Sequence, residues 1–262
     1  MIDVLNLERF PLDRPDSVEA EELALACRAE LAATGMFNLE GFVRAAEIER
    51  AANELLRQSE RDSFVHRRSH NVYFSDTVPG IAAGHPALTR IETINHTLCG
   101  DQISGSLVER IYEWAPLREF LARVLGLPRL FLMDDRLARL NVMEYRAGMC
   151  LNWHFDRSHF TTTLLLQAAQ AGGEFEYRSG LRGADDPNYG GVARALAGDD
   201  PHIRIAPLRA GTLNVFAGRN TLHRVSPVTG SRSRLIAVLS YYEKSGVKMS
   251  AEDLRGFYGR AE

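Results

Sequence analysis

The sequence of 262 residues predicts an α+β fold, in which N-terminal helices pack on the outer face of an antiparallel β-sandwich or barrel. The first half contains long stretches with apolar residues at three-and-four spacing, which is typical of amphipathic helices. After Pro128 the apolar runs become short, rich in β-branched and aromatic residues, and separated by turn-forming residues. No repeat of fixed period divides the chain, so we predict one domain over residues 1–262.

Residues 1–128 are predicted to be mainly helical. The first helix has a capping-box spacing at Asp16–Glu19 before it, and Gly35 ends its apolar pattern. A proline inside a helix removes a hydrogen bond, so Pro116 is expected to break the last helical stretch in two. The predicted elements are helix Val18–Thr34, strand Met36–Leu39, helix Val43–Glu60 and helical stretch Ser106–Leu125.

Between these helices, residues 62–105 carry many polar side chains without a sustained period, which predicts a long excursion of loops and short strands. Long ordered loops often carry function. Two interpretations stay open for His70, Asn71 and Tyr73 of this segment. They form a lid over a substrate, or they belong to an ordinary polar loop.

Residues 129–246 are predicted to form the β-rich core, and residues 247–262 a C-terminal helix. The charged and glycine-rich segment Arg178–Asp200 is expected to be a solvent-side insertion between strands. The predicted strands are Leu130–Met133, Leu137–Tyr145, Phe160–Gln167, Glu174–Tyr177, Thr212–Phe216 and Arg234–Tyr242.

The composition argues against two classes of partner. The formal net charge is -3, with 31 Lys and Arg against 34 Asp and Glu, so no basic footprint for nucleic acid is expected. No apolar run approaches the roughly 18 residues of a membrane span, and the N-terminus lacks the pattern of an export signal. The sequence therefore predicts a cytoplasmic protein that binds neither nucleic acid nor membrane, and it indicates no particular oligomeric state.

A candidate metal site begins at His154 and Asp156. Side chains two apart in an extended segment point to the same side, so these two can hold one ion together. The best candidate for a third ligand is His223, which opens a later strand. Two histidines and a carboxylate on one face are the arrangement of non-haem Fe(II) oxygenases, which leaves positions open for a co-substrate and dioxygen. The alternative is a coincidence of buried, hydrogen-bonded polar residues.

A dicarboxylate co-substrate that binds the metal by its keto-acid end needs a fixed cation for its other carboxylate. Arginine suits this role because its planar guanidinium can make two parallel hydrogen bonds. Arg232 and Arg234 have the same parity and can share a face, so the sequence does not decide cleanly between them. We prefer Arg234, because it begins the uninterrupted apolar run, whereas Arg232 lies nearer the turn.

These residues resemble those of a known family. The order His154-Phe-Asp156, then His223-Arg-Val-Ser-Pro-Val228, then an arginine on the next strand resembles the Fe(II)/2-oxoglutarate-dependent dioxygenases, especially their prolyl-hydroxylase-like branch. The stretch Asn152–Gln167 is further similar to small bacterial enzymes that hydroxylate or chlorinate free amino acids such as lysine, as are Gly172–Tyr177 and Gly211–Phe216. The similarity covers roughly residues 137–246, and the segment at 70–74 is a further point of likeness.

The resemblance implies a double-stranded β-helix (a cupin-like jelly roll) with the N-terminal helices on its outer face. It also implies that His154, Asp156 and His223 bind Fe(II). Arg234, or else Arg232, would anchor 2-oxoglutarate. Tyr145 matches a tyrosine that hydrogen-bonds the co-substrate in related enzymes, and Asn141 shares its parity. In the chlorinating relatives a small residue replaces the carboxylate of Asp156, so the resemblance favours hydroxylation over halogenation.

The implied reaction consumes dioxygen and 2-oxoglutarate, releases succinate and CO2, and hydroxylates an unactivated C–H of a small molecule, most plausibly a free amino acid. Ascorbate is the expected reductant in vitro. Arg157 and His159, beside the metal pair, either face the substrate or are solvated. The arginines that could bind a substrate carboxylate are Arg67, Arg68, Arg90 and Arg157.

Other outcomes stay open. The same cofactors could support desaturation or cyclisation of the substrate. A cupin-like metalloenzyme or binding module that does not use 2-oxoglutarate is a second possibility. A degenerate scaffold is a third, although the intact set of two histidines and an aspartate argues against it.

Overall fold

The structure, a computed structural model, describes residues 1–75 and 77–262. The helices are α1 (Val18–Thr34), α2 (Ala45–Asp62), α3 (Leu107–Glu113), α4 (Ala115–Leu125), α5 (Tyr189–Ala197) and α6 (Ala251–Tyr258), with a 3₁₀ helix at Pro86–Leu88. The strands are β1 (Met36–Leu39), β2 (Phe64–His70), β3 (Ile91–Leu98), β4 (Phe131–Leu132), β5 (Leu140–Tyr145), β6 (Leu151–His154), β7 (Thr161–Gln167), β8 (Ala171–Gly172), β9 (Phe175–Arg178), β10 (Arg204–Ala206), β11 (Leu213–Phe216), β12 (Leu222–Val225), β13 (Val228–Thr229), β14 (Arg234–Leu239) and β15 (Tyr241–Tyr242).

Within the described residues, the strands form two main antiparallel sheets. The larger has seven strands in the order β1-β11-β7-β14-β5-β3-β2, and the smaller has four in the order β10-β9-β12-β6. Two short pairs, β13-β8 and β15-β4, complete the β-structure. The predicted mixture of helices and antiparallel sheet is confirmed.

Helix α1 begins and ends at its predicted bounds, whereas α2 spans Ala45–Asp62 instead of the predicted Val43–Glu60. The Ser17 side chain accepts a hydrogen bond from the Ala20 N–H, and Gly35 ends α1 with a left-handed φ of 81°. The predicted break in the third helical stretch is present, but it falls at Trp114 rather than at Pro116. Pro116 lies in the first turn of α4, where a missing N–H costs no hydrogen bond.

Both faces of the large sheet are covered. On β14, Leu235, Ala237 and Leu239 belong to the main core, which the sheet shares with the N-terminal helices. Ile236 and Val238, which alternate with them, face a cavity instead. The helices thus fill one side of the sheet and leave the other side to the site described below.

The main correction concerns residues 62–105. Instead of loops and short strands, this segment contains β2 and β3, which pair in full from Phe64 opposite Thr97 to His70 opposite Ile91. The inward-facing positions of these strands are polar, among them His66, Thr93 and Asn95, so the apolar alternation of a strand is missing.

Three smaller differences follow. The part predicted as mainly helical, residues 1–128, contributes β2 and β3 to the large sheet in addition to the predicted strand β1. The insertion at 178–200 contains α5. The strand predicted from Leu137 begins at Leu140, because the Asp135 side chain accepts hydrogen bonds from the N–H groups of residues 137 and 138 and holds them in a turn. No helix in the described part of the chain is long and apolar enough to cross a membrane.

Candidate active site

A cavity of about 240 Å³ lies between the two main sheets and extends toward α6. The exposed surface of its walls is mainly apolar, although many of the lining residues also carry a polar group. The apolar lining consists of Phe74, Met143, Leu151, Phe175, Phe216, Val225, Ile236, Val238, Met249 and Phe257. The polar lining consists of His66, His70, Thr93, Asn95, Thr97, Tyr145, His154, Asp156, Arg157, Thr161, Thr163, His223 and Tyr258.

The structure brings His154, Asp156 and His223 together in this cavity. Strands β6 and β12 are neighbours, and their register places His223 opposite His154. The His154 and His223 Nε2 atoms lie 3.3 Å and 3.6 Å from Asp156 Oδ1. One potential ligand atom from each of the three residues lies within 4.8 Å of the other two.

Backbone hydrogen bonds fix the tautomers of both histidines. The Nδ1 atoms of His154 and His223 lie 2.8 Å and 2.9 Å from the carbonyl oxygens of Asn152 and Thr221. A carbonyl only accepts, so each Nδ1 carries a proton and donates it, and each Nε2 keeps its lone pair. Burial, together with the neighbouring His154, lowers the pKa of His223 to about 4. The ring of His223 is therefore neutral near pH 7, as metal binding requires.

Asp156 is held as a carboxylate. Burial opposes its ionisation, but the positive charge of the two imidazoles in their protonated form and the Thr161 hydroxyl, which donates to Oδ2, hold the pKa of Asp156 well below its usual range. Oδ1 thus remains directed toward the histidines. Two imidazole lone pairs and one carboxylate oxygen are a donor set that suits Fe(II).

We predict that Gly218→Ala weakens metal binding. A Cβ atom at this position would lie 2.5 Å from Asp156 Oδ2 and 2.7 Å from Thr161 Oγ1, so the carboxylate must move. Displaced outer contacts of metal ligands typically cost about ten- to a hundredfold in metal affinity. Anaerobic Fe(II) titration should show a loss of this size. Gly183→Ala, where a Cβ meets nothing within 4 Å, is the control, and equal affinities for the two variants would contradict the prediction.

Arg234 is not itself a lining residue of the cavity but lies next to three of them: it is opposite Tyr145 in the sheet register and on the same strand face as Ile236 and Val238. The residue is 3% exposed, and among the described residues its Nε and Nη2 have no hydrogen-bond partner. Burial lowers the pKa of Arg234 to about 10, so the group is still cationic at neutral pH. A buried cation without an anion is costly, and this arrangement is suited to an anionic ligand.

The other predicted co-substrate residues separate into two groups. Tyr145 lines the cavity, and burial raises its pKa to about 12, so its hydroxyl stays protonated. The prediction that Arg232 could anchor the co-substrate is corrected. Because Arg232 precedes the strand, its side chain is exposed and its Nε donates to the Ala168 carbonyl. Asn141 is also outside the cavity lining, and its amide is satisfied by the Tyr258 hydroxyl and two backbone carbonyls.

Of the five predicted substrate residues, two line the cavity. His70 does so with both nitrogens engaged, by Asn71 O and Thr93 Oγ1, and Arg157 lies at the rim, where it pairs with Asp253.

The other three do not line the cavity. Asn71 caps its own turn through Tyr73 N–H and Ser75 N–H. The Tyr73 ring packs on Phe155 in another apolar cluster, and the exposed His159 pairs with Glu243.

Sequence reasoning missed several cavity residues on β2 and near the C-terminus. His66 is buried on β2, and its ring stacks on Phe257 of α6, with centroids 5.5 Å apart. Met249 and Tyr258 complete this wall. The spacing of His66, Arg68 and His70 at alternate positions is the signal that could have indicated a strand with a polar inward face.

The comparisons define first the class of protein and then its family. The fold is that of solved Fe(II)/2-oxoglutarate-dependent oxygenases, the superfamily that the sequence resembles. The family model described as Halogenase D (HalD) matches residues 20–254. The chain belongs to this family.

Three solved structures illustrate the shared fold. HygX from Streptomyces hygroscopicus, solved with nickel, 2-oxoglutarate and hygromycin B bound, is 15% identical over 89% of this chain and 94% of its own, with a TM-score of 0.58. The α-ketoglutarate-dependent epimerase SnoN from nogalamycin biosynthesis is 14% identical over 85% and 83%, with a TM-score of 0.56. A Pseudomonas putida prolyl-4-hydroxylase is 17% identical over 82% and 97%, with a TM-score of 0.51. No curated protein matches the chain.

Proposed function

We propose that the protein is an Fe(II)- and 2-oxoglutarate-dependent hydroxylase that oxidises an unactivated C–H of a free amino acid. The observation that carries this proposal is the buried guanidinium of Arg234, whose Nε and Nη2 have no partner among the described residues and which is paired in the sheet with Tyr145, a residue that lines the same cavity as His154, Asp156 and His223. A metal-binding module without a dicarboxylate co-substrate would have no use for such a cation. The two facing antiparallel sheets support the predicted jelly-roll core.

In this proposal each group of the chain has one task. Nε2 of His154, Nε2 of His223 and the carboxylate of Asp156 would hold Fe(II), and Arg234 would bind the distal carboxylate of 2-oxoglutarate through its planar fork. When bound, Fe(II) and 2-oxoglutarate supply the oxidising power with dioxygen, releasing succinate and CO2. The chain itself positions the substrate, and its apolar walls exclude water.

Asp156 favours hydroxylation within a family named for halogenation. The resemblance associates chlorination with a small residue at this position, whereas here the carboxylate is supported by the Thr161 hydroxyl and by the space that Gly218 leaves. The same site could also give desaturation or cyclisation, so the product mass must decide the outcome.

A free amino acid needs a cation for its carboxylate, and Arg68 is the best placed of the four candidates. Its guanidinium lies over the rings of Phe74 and Phe257, 5.7 Å and 5.4 Å from their centroids, and both rings line the cavity. Among the described residues no ion pair or hydrogen bond occupies Arg68, whereas the other candidates have such partners. These are Glu92 for Arg67, the Ser69 carbonyl for Arg90 and Asp253 for Arg157.

The proposal is tested by succinate release over a panel of free amino acids with Fe(II), 2-oxoglutarate and ascorbate. We expect one or a few amino acids to stimulate release, with a product heavier by one oxygen. A product lighter by two hydrogens would indicate desaturation or cyclisation. Failure of 2-oxoglutarate to give a metal-to-ligand charge-transfer band with the Fe(II)-loaded protein under anaerobic conditions would favour the module without this co-substrate.

A further inference from the structure

His66 presents an unused hydrogen-bond acceptor to the cavity. The residue is 6% exposed and lines the cavity, and among the described residues Nδ1 has no hydrogen-bond partner. Buried polar atoms are nearly always paired, because an unpaired one loses its hydration without compensation. This atom is therefore suited to a ligand.

The proton of the ring can be assigned from the residues around it. The backbone of Gly256 and Phe257, at the end of α6, hydrogen-bonds the imidazole and favours its protonation, so these partners are carbonyl acceptors. Because Nδ1 has no partner, these carbonyls favour the tautomer that carries its proton on Nε2. Burial, with the charge of Arg68, lowers the pKa of His66 and keeps the ring neutral. In the tautomer with its proton on Nε2, Nδ1 offers a lone pair to the cavity and accepts a hydrogen bond.

The position of His66 defines which part of a substrate it can meet. His66 and Arg68 are two residues apart on the same face of β2, so they lie about 7 Å apart along the strand. Phe257 contacts both, stacking on the imidazole and lying beneath the guanidinium. An acceptor that lines the cavity and a cation that packs on two of the lining rings thus lie side by side near α6.

We propose that His66 is a specificity-determining residue, which accepts through Nδ1 a hydrogen bond from an N–H or O–H group adjacent to the substrate carboxylate. This inference rests on the proposed function. It restricts the substrate to α-amino or α-hydroxy acids and disfavours simple carboxylic acids of the same shape. A simple carboxylic acid would leave the buried Nδ1 atom of His66 without a hydrogen bond, so the pocket should bind it more weakly.

The experiment compares three probes for each amino acid that stimulates succinate release: the amino acid, the corresponding α-hydroxy acid and the corresponding desamino acid. With the wild-type protein, we expect the KM of the desamino acid to be about tenfold above that of the other two. His66→Phe keeps an aromatic ring against Phe257 but removes the acceptor. In this variant the three KM values should become similar.

Two further variants keep the test specific. His96→Phe is the matched control, because His96 lies on the neighbouring strand β3, outside the cavity lining, where its Nδ1 is paired with the Ser63 hydroxyl. It should preserve the wild-type preference. His66→Gln restores an acceptor oxygen and should recover part of the preference, and it replaces His66→Phe if that variant does not fold.

The outcomes separate this inference from the proposed function. The role of His66 alone would be overturned if the proteins bind 2-oxoglutarate and respond to the amino acid normally, but the tenfold preference is unchanged in His66→Phe. The same conclusion would follow if His96→Phe lost the preference equally. If no amino acid stimulates succinate release by the wild-type protein, the proposed function falls and this inference falls with it.

Discussion

Arg234→Met is expected to abolish 2-oxoglutarate binding and, at the same time, to make the protein without ligand more stable. Removing one partner of a buried charge pair typically costs about 2–5 kcal/mol of binding, a factor of roughly 30 to several thousand in Kd. In the protein without ligand the same guanidinium is buried without a partner among the described residues. Its replacement by an apolar side chain of similar length removes that cost, which is on the order of 1–4 kcal/mol for comparable buried charges.

The two effects predict opposite changes in thermal stability. Without ligand, Tm of the variant should exceed that of the wild type by a few degrees. With 2-oxoglutarate at about a hundred times its wild-type Kd, the wild type should gain about 2.7 kcal/mol and the variant far less, so the Tm advantage of the variant should shrink or reverse. Thermal melts of the metal-loaded proteins, with and without 2-oxoglutarate, measure both.

Arg232→Met is the matched control, because Arg232 is exposed and lies two residues before Arg234. It should leave both Tm and 2-oxoglutarate affinity unchanged. If Arg232→Met lost the co-substrate and Arg234→Met kept it, the assignment of the anchor would be reversed.

The pair Arg232 and Arg234 also shows where sequence reasoning stops. Parity placed both on one face, and only the three-dimensional course of the chain distinguishes them. Arg232 leaves the sheet at a surface turn and bonds Ala168, whereas Arg234 begins the paired part of β14. Parity applies only while a strand is regular, and no local pattern shows where regularity begins.

Elements that are set by local chemistry were predictable. Helix α1 matches its predicted bounds, because a serine cap and a left-handed glycine act within one turn of its ends. Strands β2 and β3 were not predictable in the same way. Their inward positions are polar because they face a cavity rather than a core. Without apolar residues at alternate positions, the sequence of these strands resembles that of a loop.

The metal group was predictable for a related reason. His154 and Asp156 are two apart on one strand end, which is a local relation, and His223 follows from the order of the motif. For His66 the alternation with Arg68 and His70 could indicate a polar strand face but not what packs on it, because the ring contacts Phe257 of α6, almost two hundred residues later in the chain.

Asp156→Gly is expected to lose hydroxylation almost completely. It removes the carboxylate whose Oδ1 lies within 3.6 Å of both imidazole Nε2 atoms, and leaves only two of the three protein ligands proposed for Fe(II). Since even outer contacts of metal ligands carry ten- to hundredfold effects, we expect product formation to fall by at least about a hundredfold. Anaerobic Fe(II) titration and product analysis by mass measure the two losses separately.

The same experiment decides between hydroxylase and halogenase chemistry. In excess chloride, the wild-type protein should form only hydroxylated product, because Asp156 fills the position that is a small residue in the chlorinating relatives. Asp200→Asn, which removes an ion pair with Arg178 outside the cavity lining, should behave as the wild type does. A chlorinated product from the wild-type protein would show that the carboxylate does not exclude halide, and the family's name would then describe this chain's reaction better than Asp156 does.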